Sequence, residues 1–116
     1  MSQARMRRVD EAVRAVLGDA IAKELQDPRV GFVTVTGVKT SPDLRHARVY
    51  VSVLGDDHTR SESLAALRRA HGFLQGRIAT ELMLKHTPAL TFEYDESVDR
   101  GMRISRLIEE GPDVNG

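Results

Sequence analysis

Apolar residues recur at intervals of three and four from Val9 to Leu25, through Ala12, Val13, Val16, Leu17, Ala20 and Ile21, while Asp10, Glu11, Arg14, Gly18, Asp19 and Lys23 fill the opposite side. A helix with one buried stripe produces this period. It is expected to stop near Asp27, because Pro28 disfavours helical geometry in the residue before it. The period then changes to two. Phe32 to Lys39 (FVTVTGVK) is rich in β-branched residues. Beyond the turn-prone Ser41, Pro42 and Asp43, the residues Ala47, Val49, Val51 and Val53 alternate with Arg48, Tyr50 and Ser52. Such alternation marks a strand covered on one face only.

Gly55, Asp56 and Asp57 end the alternation, and a long helical segment follows from Thr59 to His86, with Thr59 or Ser61 as its candidate cap. Its core stripe is Leu64, Leu67, Ala70, Leu74, Ile78 and Leu82. A third strand spans Pro88 to Asp95, with Leu90, Phe92 and Tyr94 on the core side and Thr91, Glu93 and Asp95 on the other. A short last helix is expected from Ser97 or Val98 to Glu110, burying Met102, Leu107 and Ile108. Residues 1–110 read as a single domain and 111–116 as a frayed tail. This order predicts an α+β two-layer sandwich, a three-stranded sheet with helices on one face. The hairpin makes the first two strands antiparallel, and the crossover through the long helix allows the third to run parallel to a neighbour.

Two glycines stand inside the long helix. Each costs about 1 kcal/mol relative to alanine, so Gly72 and Gly76 suggest a geometric demand. Phe73 lies off the core stripe, and a bend at Gly72 would turn it inward. Ala65, Arg69, Gly72, Gly76, Ala79 and Met83 share a second face, with Arg68 and Arg69 at one end and Arg77 on the flank. A missing Cβ admits another backbone, and a helix start created by a break favours an anion. Two partners fit this face: the phosphates of a nucleic acid, or a second helix packing on small residues.

The net charge is zero, which does not suit indiscriminate nucleic-acid binding, but its distribution is uneven. Through His86, Lys and Arg outnumber Asp and Glu by 14 to 10; after it they are outnumbered 3 to 7. Arg5, Arg7 and Arg8 precede any acidic residue. This polarity suits one anionic partner on one face. The absence of cysteine excludes disulfides and thiol chemistry and fits a reducing compartment. No apolar run is long enough to span a membrane and no secretory signal is evident, so a soluble cytoplasmic protein is expected. His46, His58, His71 and His86 lack metal-ligand spacing, Asp56, Asp57 and His58 read as a polar loop, and Glu93, Asp95, Glu96 and Asp99 read as an exposed strand end. No phosphate-binding glycine motif occurs. Catalytic residues, metal and cofactor are all expected to be absent.

Asp27-Pro28-Arg29 closing the first helix, TGVKTSPDLRHARVYVSVLG from Thr36 to Gly55, Ala70-His71-Gly72-Phe73, and TPALTFEYDES followed by GMRISRLI come in an order and spacing that resembles ribosome-binding factor A, a family of bacterial small-subunit maturation factors with a type II KH-like fold. The resemblance covers residues 5 to 110 and implies an α-β-β-α(kink)α-β order plus the short C-terminal helix. In the family an Ala-x-Gly element, here Ala70, His71 and Gly72, replaces the GxxG loop of KH domains and kinks the helix. The resemblance implies a non-enzymatic factor that binds the small (30S) ribosomal subunit and its precursor late in assembly through 16S rRNA. There it supports maturation of the rRNA 5′ end and growth in the cold. The candidate RNA-contacting residues are Arg5, Arg7, Arg8, Arg45, Arg48, Arg68, Arg69, His71, Gly72, Arg77 and Lys85. Family members carry more basic residues late in the kinked helix, where this chain has the neutral Gln75, Thr80 and Met83. Lys39 reads as guarding a sheet edge. The free protein is expected to be a monomer; the competing reading is a protein-interaction or dimerisation module that uses the glycine-lined face.

Overall fold

A computed structural model describes residues 3–25 and 28–97. The elements are α1 (Gln3–Lys23), β1 (Val33–Thr40), β2 (His46–Val53), α2 (Asp57–Arg69), α3 (His71–Leu82) and β3 (Ala89–Tyr94). The sheet order is β1-β2-β3, with β1 antiparallel and β3 parallel to the central β2. This is the expected α+β order with a mixed sheet, and it is compatible with the KH-like arrangement. The expected last helix, like Asp27, lies outside the described residues.

Periodicity explains which faces meet. α1 buries Val13, Val16, Leu17, Ala20 and Ile21, and β2 buries Ala47, Val49, Val51 and Val53 while Arg48 stays exposed. Together with Leu67, Leu74, Ile78 and Phe92, these residues form one apolar core between the helices and the sheet. In β1 the register shifts between Val35 and Gly37. The extra residue, Thr36, resets the alternation, so Val33 and Val35 before the bulge and Val38 and Thr40 after it all turn toward the helices. Thr36 reaches across the sheet instead, its hydroxyl 2.6 Å from Asp95 Oδ2.

The β1–β2 turn is tightly built. The Ser41 hydroxyl and the Arg45 amide both donate to Asp43 Oδ1, at 2.7 and 3.0 Å, and the Ser41 and His46 backbones close the ends. Leu44 takes a left-handed conformation (φ 62°) that is costly for a branched side chain, and its burial offsets that cost.

Several boundaries differ from expectation. α1 ends at Lys23, before Asp27 is reached. The second helical stretch starts at Asp57 rather than Thr59, because the Asp56 side chain accepts the Thr59 amide proton at 2.8 Å and is therefore the cap. It ends at Leu82, short of His86, where Met83 turns left-handed (φ 50°). The long helical segment is two helices, as the implied α(kink)α order has it.

Candidate RNA interface

The interruption falls on Ala70, with φ −90° and ψ 6°. The Ala70 amide donates to Ala66 O at 3.1 Å and Leu67 O at 3.0 Å, and the Leu74 amide donates to Ala70 O at 3.1 Å. Hydrogen bonding thus carries across the break. The cause is packing on two layers: α2 lies over β3 and α3 lies against α1. Arg68 Nη2 ties the end of α2 to Phe92 O at 3.0 Å, while Leu74 and Ile78 of α3 are fully buried. A straight helix cannot follow both surfaces. The break thus falls on Ala70, the first residue of the Ala-x-Gly element that the resemblance implies, whereas Gly72, where glycine cost alone places the bend, lies inside α3. Nor does the bend bury Phe73, which remains 45% exposed.

A Cβ placed on Gly72 or Gly76 meets nothing within 4 Å, so among the described residues no part of the domain covers this side of α3. The face is shorter than expected. Ala65 is half-buried on α2 and Met83 has left the helix, which leaves Gly72, Gly76 and Ala79 as the bare strip. Exposed Arg69 and His71 stand at its start. His71 Nδ1 lies 2.8 Å from Arg68 O. Because a carbonyl only accepts, Nδ1 holds the proton, and Nε2 is left as an acceptor in the neutral ring.

The structure separates the remaining candidate cations. Arg68 is committed to β3, as described. Arg77 is clasped by Glu81, with Nε to Oε2 at 2.9 Å, and by Glu24 beyond the end of α1, so it joins α3 to α1 instead of flanking the glycines. Gln75 holds the following loop by donating to Pro88 O at 2.9 Å. Lys85 is exposed in that loop. Arg5, Arg7 and Arg8 lie at the other sheet edge, on the first turns of α1. There the Thr40 amide donates to Asp10 Oδ1 at 2.8 Å and fastens α1 beside the end of β1. Arg45 Nε is 4.0 Å from Asp43. Arg48 pairs with Glu93 at 3.0 Å and donates to the Tyr50 hydroxyl at 3.3 Å; that hydroxyl, then the charges of Tyr50 and Glu93, raise its pKa above the ordinary guanidinium value.

Lys39 is the residue that sequence reasoning set aside. It lines the same cleft as Arg7, Asp10 and Pro42, a juxtaposition set by the Asp10–Thr40 contact and carried by no period in the sequence. Among the described residues no three His, Cys, Asp or Glu side chains cluster as metal ligands. No described helix is long and apolar enough to cross a membrane.

The sequence model of ribosome-binding factor A matches residues 5–108. This chain belongs to the ribosome-binding factor A family. Its fold is similar to a Thermotoga maritima protein described as a putative ribosome-binding factor A, with TM-score 0.71 and 35% identity over 80% of this chain and 89% of that one. The crystal structure of ribosome-binding factor A from Thermus thermophilus matches with TM-score 0.70 and 27% identity, covering 77% of this chain and 94% of that one. A homology model of the Thermus thermophilus factor, fitted into a cryo-EM map of a 30S–RbfA complex, matches with TM-score 0.62 and 28% identity over 75% of this chain and 91% of that one.

Proposed function

We propose that this chain binds the small ribosomal subunit and its precursor late in assembly through 16S rRNA. In this reading it supports maturation of the rRNA 5′ end and growth in the cold, acts in the cytoplasm as a monomer, and catalyses no reaction. The observation that carries the proposal is the uncovered Gly72–Gly76 strip beside Arg69 and His71, in a family whose Thermus thermophilus member has been fitted into a 30S complex. A phosphodiester backbone can approach a helix closely where no Cβ intervenes, and the start of α3 supplies the favourable end of its dipole. Such contacts position the protein on folded RNA without reading its sequence. The same strip, with Phe73 exposed beside it, supports a dimerisation module as the second reading.

Co-sedimentation with precursor small subunits tests the proposal. Arg68→Glu combined with Arg69→Glu abolishes binding. Because Arg68 also holds β3, Arg69→Glu alone is the control that leaves that contact in place. RNA binding weakens steeply as salt rises, whereas an apolar helix contact is nearly indifferent to it. Normal co-sedimentation of both variants, together with a salt-insensitive dimer in ultracentrifugation, overturns the RNA reading.

A further inference from the structure

The glycine strip belongs to α3, which lies against α1 and is joined to its far end by Arg77 and Glu24. Arg7 stands in the first turns of α1, about 25 Å away along the helix axis, so the two face separate surroundings. Around the β1–β2 turn, two clefts share Lys39, Thr40 and Pro42. One runs along α1 past Arg7 and Asp10, and the other crosses onto the open sheet face past His46 and Arg48. The carboxylates of Asp10, Asp43 and Glu93 are already engaged there. Asp10 accepts the Thr40 amide. Asp43 is held below the usual carboxylate range by the Ser41 hydroxyl, then by the Arg45 amide. Glu93 is neutralised by Arg48. The side chains of Arg7 and Lys39, by contrast, have no hydrogen-bond or ion-pair partner among the described residues. The cleft between them is thus cationic although the whole chain is neutral, and its floor is a turn already fixed by its own hydrogen bonds.

We infer that a second stretch of RNA backbone, distinct from the one facing Gly72, lies in the cleft between Arg7 and Lys39. The domain then grips folded RNA at two separate places. The inference rests on the proposed function and adds a second contact to it. Two weak contacts on one rigid body act in concert, because engagement of the first makes the second intramolecular. A chain of zero net charge can in this way hold a polyanion without a general positive field.

The test uses purified 30S subunits and the full chain. Arg7→Gln combined with Lys39→Gln changes two exposed side chains, and urea unfolding checks that the fold is kept. The slope of log affinity against log salt becomes shallower by about 2 in this variant, and by about 1 in Arg69→Gln. The chain has no cysteine, so photocrosslinkers attached at Pro42→Cys and at Ala79→Cys report each surface alone, and they map to different rRNA stretches. An unchanged slope and affinity in the Arg7/Lys39 variant, with Arg69→Gln impaired, overturns the second contact and leaves the proposed function standing. So does a Pro42→Cys crosslink to a ribosomal protein or to the stretch seen from Ala79→Cys. If neither set of substitutions changes binding, the contact at the glycine strip falls as well, and a binding that is also indifferent to salt overturns the proposed RNA function.

Discussion

α1 and the α2–α3 pair are helical stretches of similar length with opposite behaviour. α1 runs 21 residues without a break although Gly18 sits inside it. The second stretch breaks at an alanine and keeps Gly72 and Gly76 within α3. Glycine content therefore does not decide where this chain bends. α1 buries one continuous stripe from Val13 to Ile21 and packs along β1, with α3 laid against it. α2 and α3 must cover β3 and then α1, so the turn comes where the underlying surface changes. Intrinsic propensity is a weak prior that tertiary packing overrides, and Ala70 is where it does so here.

The largest expected effect asks whether the two halves share one core. Leu67 of α2 and Leu74 of α3 flank the break, and both are fully buried. Leu67→Ala and Leu74→Ala should each cost about 3 kcal/mol, read as a lower urea midpoint with an unchanged slope. A loss below about 1 kcal/mol for Leu74→Ala would mean that α3 is a loosely attached arm, and the contrast with α1 would then reflect weak packing in place of a change of surface.

Those parts of the fold whose packing repeats with the chain's own period were legible in the sequence. The α1 stripe and the β2 alternation are of this kind, and β2 is the cleaner because it is paired on both sides. The bulge at Thr36 was not legible, since it depends on register with β2. Local cost alone points the break to Gly72 while its cause lies in β3 and α1, and only the Ala-x-Gly resemblance names Ala70. The Asp56 cap carried a readable signal, an acidic residue three before Thr59, that the hydroxyl residues downstream obscured. At the candidate site, the Arg77–Glu81 pair lies four residues apart and could be read. Its partner Glu24 and the cleft shared by Arg7 and Lys39 are long-range and could not.

A smaller effect sharpens the comparison directly. A Cβ on Gly18 of α1 or on Gly76 of α3 meets nothing within 4 Å, and neither glycine has a positive φ. Gly18→Ala and Gly76→Ala are each expected to raise stability by about 0.5–1 kcal/mol, measured by urea unfolding. Their binding to small subunits should diverge. Gly18→Ala leaves it unchanged, whereas Gly76→Ala weakens it if RNA backbone approaches the strip. Equal binding by both would make the bare strip of α3 no more functional than the single glycine of α1.

The smallest effect concerns how the two halves begin. α2 is capped by the Asp56 carboxylate, while α3 starts at Ala70 with no side-chain cap. The Thr59 backbone amide, and after it the Thr59 hydroxyl, hold the Asp56 carboxyl below its ordinary value. A pKa lowered by folding contributes stability that is present above the unfolded value and is lost as pH falls through the folded one. Amide hydrogen exchange at Thr59 and Arg60 should accordingly quicken on acidification, beyond its intrinsic pH dependence, in the range below the usual aspartate pKa. Asp56→Asn keeps the acceptor and removes this response. Amides of α3 such as Leu74 should not follow the Asp56 titration, because the change of direction at Ala70 separates them from the first turn of α2. If they do follow it, the break is a bend within one cooperative helix, and the difference from α1 is one of shape alone.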